Sequence, residues 1–267
     1  MTTPTTIDWT AVSAQHDAVV AKDGVAGIAI AVNGDVTADW NSDRLFRAAS
    51  TIKIAVMIEI FHAEEQGKLS RSDVVALKES DRVPGSGVLA HLHEGLNLIV
   101  DDLLYLMISI SDNSATNMLV DLVGLDAIND GLVRLGIETS KMRRRMLGRT
   151  PLEGEPENWI IPRDFAVMVQ AIVNDTAASP SSCAAMRDLL ATQQNTDRIA
   201  RFLPEGTTWG SKTGSLPNVV NDVGFITTDQ GTIVIAVFTE GLSEADGEKA
   251  IGEIARAAWV SAGILPE

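Results

Sequence analysis

The sequence has little that could tie the chain to a disulfide framework, a membrane or nucleic acid. It contains a single cysteine, Cys183, so no internal disulfide can form. No stretch approaches the roughly 20 consecutive apolar residues that a membrane-spanning helix needs. Lysine and arginine together number 21 against 36 aspartates and glutamates, which gives a formal net charge of −15. Because a field of that sign repels phosphates and anionic lipids, we expect neither nucleic acid nor membrane partners.

Targeting signals and several common catalytic motifs are also absent. The N-terminal stretch MTTPTTIDWTAVSAQ lacks the basic start and apolar core of a signal peptide. We therefore expect the protein in the cytoplasm, or in the periplasm or outside the cell if a leader has been removed. The sequence has no Gly-x-Ser-x-Gly elbow, no His-Glu-x-x-His pair and no phosphate-binding glycine loop. The pair His91 and His93 is too sparse for a metal site, so we expect neither a metal nor a cofactor.

What the sequence does contain is a helical middle section between β-prone ends. Two β-prone runs surround Asn33-Gly34, a dipeptide typical of hairpin turns, and two more follow at 218–228 and 231–240. Apolar periodicity and end signals predict the helices. Their ranges are 7–24, 47–67, 98–110, 114–124, 125–136, 162–175, 180–194 and 243–263.

This order of elements predicts an α+β fold with two lobes. Residues 1–49 together with 206–267 are expected to form an antiparallel sheet flanked by the terminal helices. Residues 50–205 are expected to form an all-helical lobe. The 267 residues suffice for one such domain with a large core. A cleft between two lobes is a common place for a ligand, and a monomer is the favoured oligomeric state.

The stretch RAASTIKIAVMIEIF, residues 47–61, predicts an apolar helix that carries one lysine near its start. A buried charge without a partner is costly, so Lys53 requires an explanation. Ser50 lies three residues earlier and therefore on the same helix face. A serine hydroxyl becomes a good nucleophile when a base takes its proton, and a lysine with a lowered pKa is such a base. The helix N-terminus also offers backbone N–H groups to an oxyanion.

Two later motifs complete a recognisable set. Ser111-Asp112-Asn113 lies between two predicted helices, and Lys212-Thr213-Gly214 comes just before the late strands. Ser-x-x-Lys, Ser-Asp-Asn and Lys-Thr-Gly in this order, with 61 and 101 residues between their first members, resemble class A β-lactamases and penicillin-binding proteins. The resemblance extends from the hairpin to the last helix. It implies the β-lactamase-like α+β fold with an active site between the lobes.

The resemblance also implies the roles of the reacting groups. Ser50 is the residue that becomes acylated, and Lys53 is its base, either directly or through water. Ser111 relays a proton to the leaving nitrogen or oxygen. The backbone N–H groups of Ser50 and Ser215 form the oxyanion hole.

The substrate-binding groups follow from the same resemblance. Asn113 is expected to hydrogen-bond the substrate amide and to steady the base lysine. Lys212 adds positive field, and Thr213 or Ser215 binds a substrate carboxylate. The alternative for Ser111 and Asn113 is a turn whose side chains cap the adjacent helices, and Asp112 is expected to be structural and not catalytic.

One part of the sequence departs from the class A pattern. Those enzymes carry a deacylating glutamate before the Pro-Arg-Asp-like helix start, followed after two residues by Leu-Asn. The corresponding segment here, MRRRMLGRTPLEGEPENWIIPRD, offers Glu153, Glu155 and Glu157, and none of them is followed by that pattern. Each is a candidate for the deacylating base, against the alternative of an ordinary exposed acid in a Gly- and Pro-rich loop.

The arginines raise two further questions. The run Arg143-Arg144-Arg145 is unusual in so acidic a chain, and it has either a structural or surface role or a role in binding an anionic substrate. The late strand TIVIAVFTEG has no arginine where many class A enzymes hold the substrate carboxylate. Arg198 and Arg201 are near in sequence, but no pattern places them in the cleft.

The sequence therefore predicts a serine hydrolase that acts on an amide or ester through a covalent acyl-serine. We expect a small-molecule substrate and inefficient hydrolysis of β-lactams. A D-alanyl-peptide carboxypeptidase or transpeptidase is one alternative. A binding protein that keeps the pocket but has lost turnover is the other.

Overall fold

Five strands from the two ends of the chain form one antiparallel sheet in the computed structural model, which describes residues 7–265. Its strands occur in the order β2-β1-β9-β8-β7. Strand bounds are β1 Val25–Val32, β2 Asp35–Trp40, β3 Phe46–Arg47, β4 Val74–Ala76, β5 Asn97–Ile99, β6 Trp159–Ile160, β7 Thr208–Leu216, β8 Val219–Thr228 and β9 Gly231–Glu240. Helix bounds are α1 Thr10–Val20, α2 Lys53–Glu65, α3 Val100–Ser109, α4 Asn113–Val123, α5 Leu125–Arg134, α6 Pro162–Val173, α7 Pro180–Leu190 and α8 Glu244–Ser261.

The N-terminal hairpin joins the C-terminal strands through β1 and β9, which pair from Val25↔Glu240 to Val32↔Ile233. One sheet face packs on the terminal helices α1 and α8 and contributes to a core that includes Ile28 and Ile235. The opposite face packs on α6 and joins the main core. The predicted α+β fold, with its terminal strands in one sheet between helices, is confirmed.

Helix α2 runs through the centre of the main core. Ten of its 13 residues are buried, which fits a sequence that is apolar in nearly every direction. The sequence predicts that this helix begins at residue 47, but in the structure Ala49–Ile52 form a turn of 3-10 helix and the α-helix begins at Lys53. Ser50 therefore lies in the tighter turn that leads into α2.

Two sequence-based expectations need correction. Lys212-Thr213-Gly214 does not precede the late strands but lies inside β7, the edge strand of the sheet. The segment TWGSKTGSL has no apolar run, and it is extended because it pairs with β8 over its whole length. The region 50–205 is also not entirely helical, since it contains β4, β5 and β6. The division into lobes at residues 49 and 205 stays a prediction.

None of the helices described within residues 7–265 combines the length and apolarity needed to cross a membrane.

Candidate active site

Backbone strain marks one predicted site residue, Ser111, and the neighbour of another, Ala49. Seven described residues other than glycine have a positive φ, and five of them are Asn or Asp, which tolerate that conformation. The other two are Ala49, with φ 48°, and Ser111, with φ 59°. One immediately precedes Ser50 and the other begins the Ser-Asp-Asn motif. Strained backbone of this kind is concentrated at functional sites, where the surrounding structure enforces it.

Lys53 lies at the start of α2 and is fully buried. Its Nζ donates to the backbone carbonyl of Ser111 at 2.6 Å, to Ser111 Oγ at 3.1 Å and to Asn113 Oδ1 at 3.0 Å. The structure therefore brings the first two motifs together, although 58 and 60 residues separate these partners in sequence.

The setting of Lys53 disfavours its charged form. Burial lowers the pKa of its amine well below the ordinary value, and the nearby charge of Lys212 lowers it further. Asp112 acts in the opposite direction but is the smallest of the three influences. A neutral lysine amine is able to accept a proton, so the site holds a base within hydrogen-bonding distance of a serine hydroxyl.

Asp112 holds the Ser-Asp-Asn turn in place through backbone contacts. It caps α4 by accepting from the Ala115 N–H, and its second carboxylate oxygen accepts from the N–H groups of Val88 and Leu89. Asn113 donates to the Pro84 carbonyl at 3.0 Å while accepting from Lys53. These bonds agree with a structural role for Asp112, and they fix the Asn113 amide at the cleft.

The Lys-Thr-Gly motif reaches the site along β7. The backbone nitrogen of Ser50 lies only 3.0 Å from where a Cβ atom on Gly214 would be, so this close approach favours glycine. Lys212 is fully buried and donates to the Thr213 carbonyl at 2.9 Å. Burial lowers the pKa of Lys212 to about 7, while Asp222 raises it and Arg198 lowers it.

Arg198 is the functional residue that sequence reasoning failed to place. It comes from the loop between α7 and β7, is 1% exposed, and donates to the carbonyls of Gly214 and Asn221. Its other terminal nitrogen donates to Ser215 Oγ at 2.6 Å. A guanidinium thus lies beside the predicted carboxylate-binding hydroxyl, in place of the arginine that is missing from the late strand. No local pattern reveals this, because the contact partners lie 16 to 23 residues away.

Two cavities meet at Ser50 and Ser215. The first, which we call the loop pocket, has a volume of about 310 Å³ and is bounded on one side by six residues of segment 144–150. The second, which we call the polar pocket, has a volume of about 440 Å³ and includes Ser111, Thr213 and Arg198 in its wall. Asn113 lines only the loop pocket. The arrangement can hold an extended molecule on both sides of the nucleophile.

The three loop glutamates lie away from both cavity walls. Glu153 is exposed, and Glu157 accepts from Arg144 at 2.5 Å. Glu155 forms a two-bond ion pair with Arg149 at 2.7 and 2.8 Å, and this bonding lowers its pKa to about 2. A carboxylate with so low a pKa is a poor proton acceptor at neutral pH. Which group deacylates the enzyme stays a prediction.

Comparison with known proteins agrees with this geometry. A model of the beta-lactamase enzyme family matches residues 11–261. Among curated relatives, the extended-spectrum beta-lactamase PER-1 of Pseudomonas aeruginosa is 24% identical over 266 residues, covering 90% of this chain and 83% of its own. The beta-lactamase regulatory protein BlaB of Streptomyces cacaoi is 23% identical, covering 75% and 79%.

Solved structures give closer matches. A beta-lactamase from Sphaerobacter thermophilus has a TM-score of 0.95 and 53% identity, covering 97% of this chain and 99% of that one. A mutant of PBP-A, in an acyl-enzyme complex with penicillin G, has a TM-score of 0.85 and 25% identity, covering 96% and 97%.

Proposed function

Because this chain belongs to the beta-lactamase enzyme family and is a β-lactamase-related serine hydrolase, we propose that Ser50 is its nucleophile and Lys53 its base. The substrate is a β-lactam or another small amide or ester. The observation that carries this assignment is the fully buried Lys53, whose lowered pKa and bonds to Ser111 and Asn113 suit proton transfer.

Acylation forms one bond to the carbonyl carbon, breaks another and moves one proton from Ser50 to the leaving atom. Ser50 Oγ attacks the carbonyl carbon while its proton passes to Lys53 Nζ. When the tetrahedral intermediate collapses, the bond from carbon to the leaving atom breaks, and Ser111 Oγ gives that atom a proton. The ammonium of Lys53 then returns a proton to Ser111, across the 3.1 Å separation of the two groups. Lys53 ends the step neutral, as it began.

Two groups of contacts stabilise this reaction. The N–H groups of Ser50 and Ser215 receive the oxyanion, which requires β7 to lie as close to Ser50 as Gly214 permits. A carboxylate on the leaving side of the substrate binds Thr213 and Ser215, within the field of Lys212 and Arg198. Both side chains are buried, which strengthens their field at an anion, and Glu248, 3.4 Å from Arg198, offsets part of it.

Deacylation is the slower step in this proposal. Water needs a base on the side of the acyl ester that faces the loop pocket. None of the described residues lining that pocket carries a carboxylate. The loss of one well-placed general base costs about 10²–10⁴ in rate. A penicillin therefore leaves a long-lived adduct, whereas small esters, whose acyl groups leave room for water, are turned over faster.

Intact-mass spectrometry after mixing with benzylpenicillin, run alongside hydrolysis of a nitrophenyl ester, tests both steps. The expected result is one penicilloyl adduct on Ser50 that decays slowly, together with measurable ester turnover, and Ser50→Ala loses both. Fast multiple turnover of penicillin without an adduct would contradict slow deacylation. Reactivity that survives in Ser50→Ala would contradict the assignment of the nucleophile.

The similarity to PBP-A and to the regulatory protein BlaB favours a second candidate, a penicillin-recognising protein that is not a dedicated hydrolase. In that case the benzylpenicillin adduct forms, but neither esters nor D-alanyl-D-alanine peptides are turned over. Release of D-alanine from such a peptide, with loss of release in Ser50→Ala, would instead assign a carboxypeptidase.

A further inference from the structure

The loop pocket has an unusual charge for so acidic a chain. Among the described residues that line it, the charged ones are two arginines, Arg144 and Arg149. The chain as a whole carries a net charge of −15. The polar pocket differs, because its wall combines Arg198 with the carboxylates of Asp197 and Glu244.

Each arginine of the loop pocket has an acidic partner that stays outside the wall. Glu155 binds Arg149 and Glu157 binds Arg144, yet neither glutamate lines the pocket. A substrate in the loop pocket therefore lies against two arginines, and the carboxylates that pair with them are not part of the wall. Arg149 is 46% exposed, so its guanidinium can contact a ligand while it stays paired with Glu155.

The part of the substrate that reaches these arginines follows from the position of Ser111. This inference rests on the proposed function, in which Ser111 protonates the leaving atom. Since Ser111 lines the polar pocket, the leaving side of the substrate occupies that cavity. The acyl side chain must then extend from the Ser50 ester in the other direction, into the loop pocket.

We propose that the loop pocket selects acyl groups that carry a carboxylate, and that Arg149, supported by Arg144, is the residue that recognises it. The preferred substrate then has an anionic group on both sides of the bond that breaks. A cationic acyl group is disfavoured for the same reason. Because Arg149 is partly exposed, the preference is modest and weakens as salt increases.

Three penicillins that differ at one carbon of the acyl side chain test this selection. Carbenicillin carries a carboxylate there, benzylpenicillin carries hydrogen and ampicillin carries an ammonium. The measurement is the second-order rate of adduct formation on the full-length protein at low salt. We expect carbenicillin to react about two- to fivefold faster than benzylpenicillin, and ampicillin to react more slowly.

Three variants separate charge recognition from loosening of the loop. Arg149→Gln should bring the carbenicillin-to-benzylpenicillin ratio to about one. Arg145→Gln is the matched control, because Arg145 is 40% exposed, pairs with Asp121 and does not line the loop pocket. Glu155→Gln frees Arg149 from its partner and should raise the ratio, whereas a merely loosened loop would lower it in both Arg149→Gln and Glu155→Gln.

The outcomes also separate this inference from the proposed function. Adduct formation with all three penicillins at equal rates, or a ratio unchanged by Arg149→Gln, overturns the anionic preference and leaves the nucleophile assignment intact. If none of the penicillins forms an adduct on Ser50 or is hydrolysed, the proposed function fails and this inference fails with it.

Discussion

The charged groups at the centre of the cleft differ from those on the neighbouring loop. Lys53 and Lys212 are fully buried, and the environment lowers the pKa of both amines. Arg144 and Arg149 of the loop lie in ion pairs and are 12% and 46% exposed. A buried lysine without a closely paired carboxylate loses its proton at a lower pH than an exposed lysine does, whereas a paired arginine stays charged. The centre is therefore suited to moving a proton, and the loop to holding a fixed charge.

The largest expected effect comes from removing the central base. Lys53→Ala should slow acylation by about 10²–10⁴, because Ser50 then has no group to accept its proton. The rate of labelling by benzylpenicillin or a fluorophosphonate, followed by intact mass, measures this. Lys68→Ala, at an exposed position just beyond the same helix, is the control and should label at the wild-type rate. Labelling of Lys53→Ala as fast as wild type would remove Lys53 from the mechanism, provided circular dichroism shows the fold intact.

A second change would give the loop pocket the carboxylate that its described lining residues lack. Leu147 lines the loop pocket, so Leu147→Glu places a carboxylate beside the acyl ester. We expect the adduct with benzylpenicillin to decay at least about tenfold faster while it forms at a similar rate. Leu152→Glu is the control on the same loop, since Leu152 is 65% exposed and lies outside the pocket wall. Equal decay of the adduct in the two variants would show that the position of the added carboxylate does not matter, which would contradict this prediction.

The pH dependence should distinguish the two buried lysines. Lys53 must be neutral, so acylation rises as pH increases through its lowered pKa. Lys212 must be charged to attract a carboxylate, so kcat/KM for benzylpenicillin falls as pH rises through about 7. A neutral nitrophenyl ester has no carboxylate for Lys212 to attract, and should show the acid limb with a weaker alkaline fall. Identical profiles for the two substrates would argue against this role of Lys212.

Asp222 provides a variant that moves mainly one limb of that profile. Its carboxylate, on the neighbouring strand β8, raises the pKa of Lys212, so Asp222→Asn should shift the alkaline limb to lower pH. The acid limb should move less, because Asp222 acts on the pKa of Lys53 only through the charge of Lys212. A shift of the alkaline limb to higher pH would contradict the sign of this interaction.

The smallest expected effect concerns the stability of the loop. Asn158 is 1% exposed, and its side chain accepts from the N–H groups of Arg143 and Arg144 and donates to the Arg144 carbonyl. Asn158→Ala leaves these backbone groups without partners and should lower the free energy of unfolding by about 1–3 kcal/mol. Glu153→Gln, at an exposed position of the same loop, should change it by less than about 0.5 kcal/mol. Urea denaturation compares the two, and equal stability would contradict the structural role of Asn158.

The central groups could be predicted from the sequence, whereas the position of Arg198 and the strand β7 could not, for a physical reason. Ser50 and Lys53 lie on one helical turn, and Asp112 caps the helix that follows it, so local spacing determines their arrangement. Arg198 acts through carbonyls of two strands that come later in the chain, and nothing in its own neighbourhood signals that contact. Strand β7 was missed in the same way, because its pairing with β8, and not its apolar pattern, makes it extended.

The close contact at Gly214 has a consequence for how the protein becomes active during folding. The nucleophile and its base belong to one local turn, but the second N–H of the oxyanion hole arrives only when β7 docks beside Ser50. A partly folded chain with α2 formed and β7 undocked would therefore carry a complete proton-transfer pair without any capacity to stabilise the reaction. Activity therefore depends on the docking of one edge strand, β7. On heating, we expect activity to be lost before the helical core loses its structure.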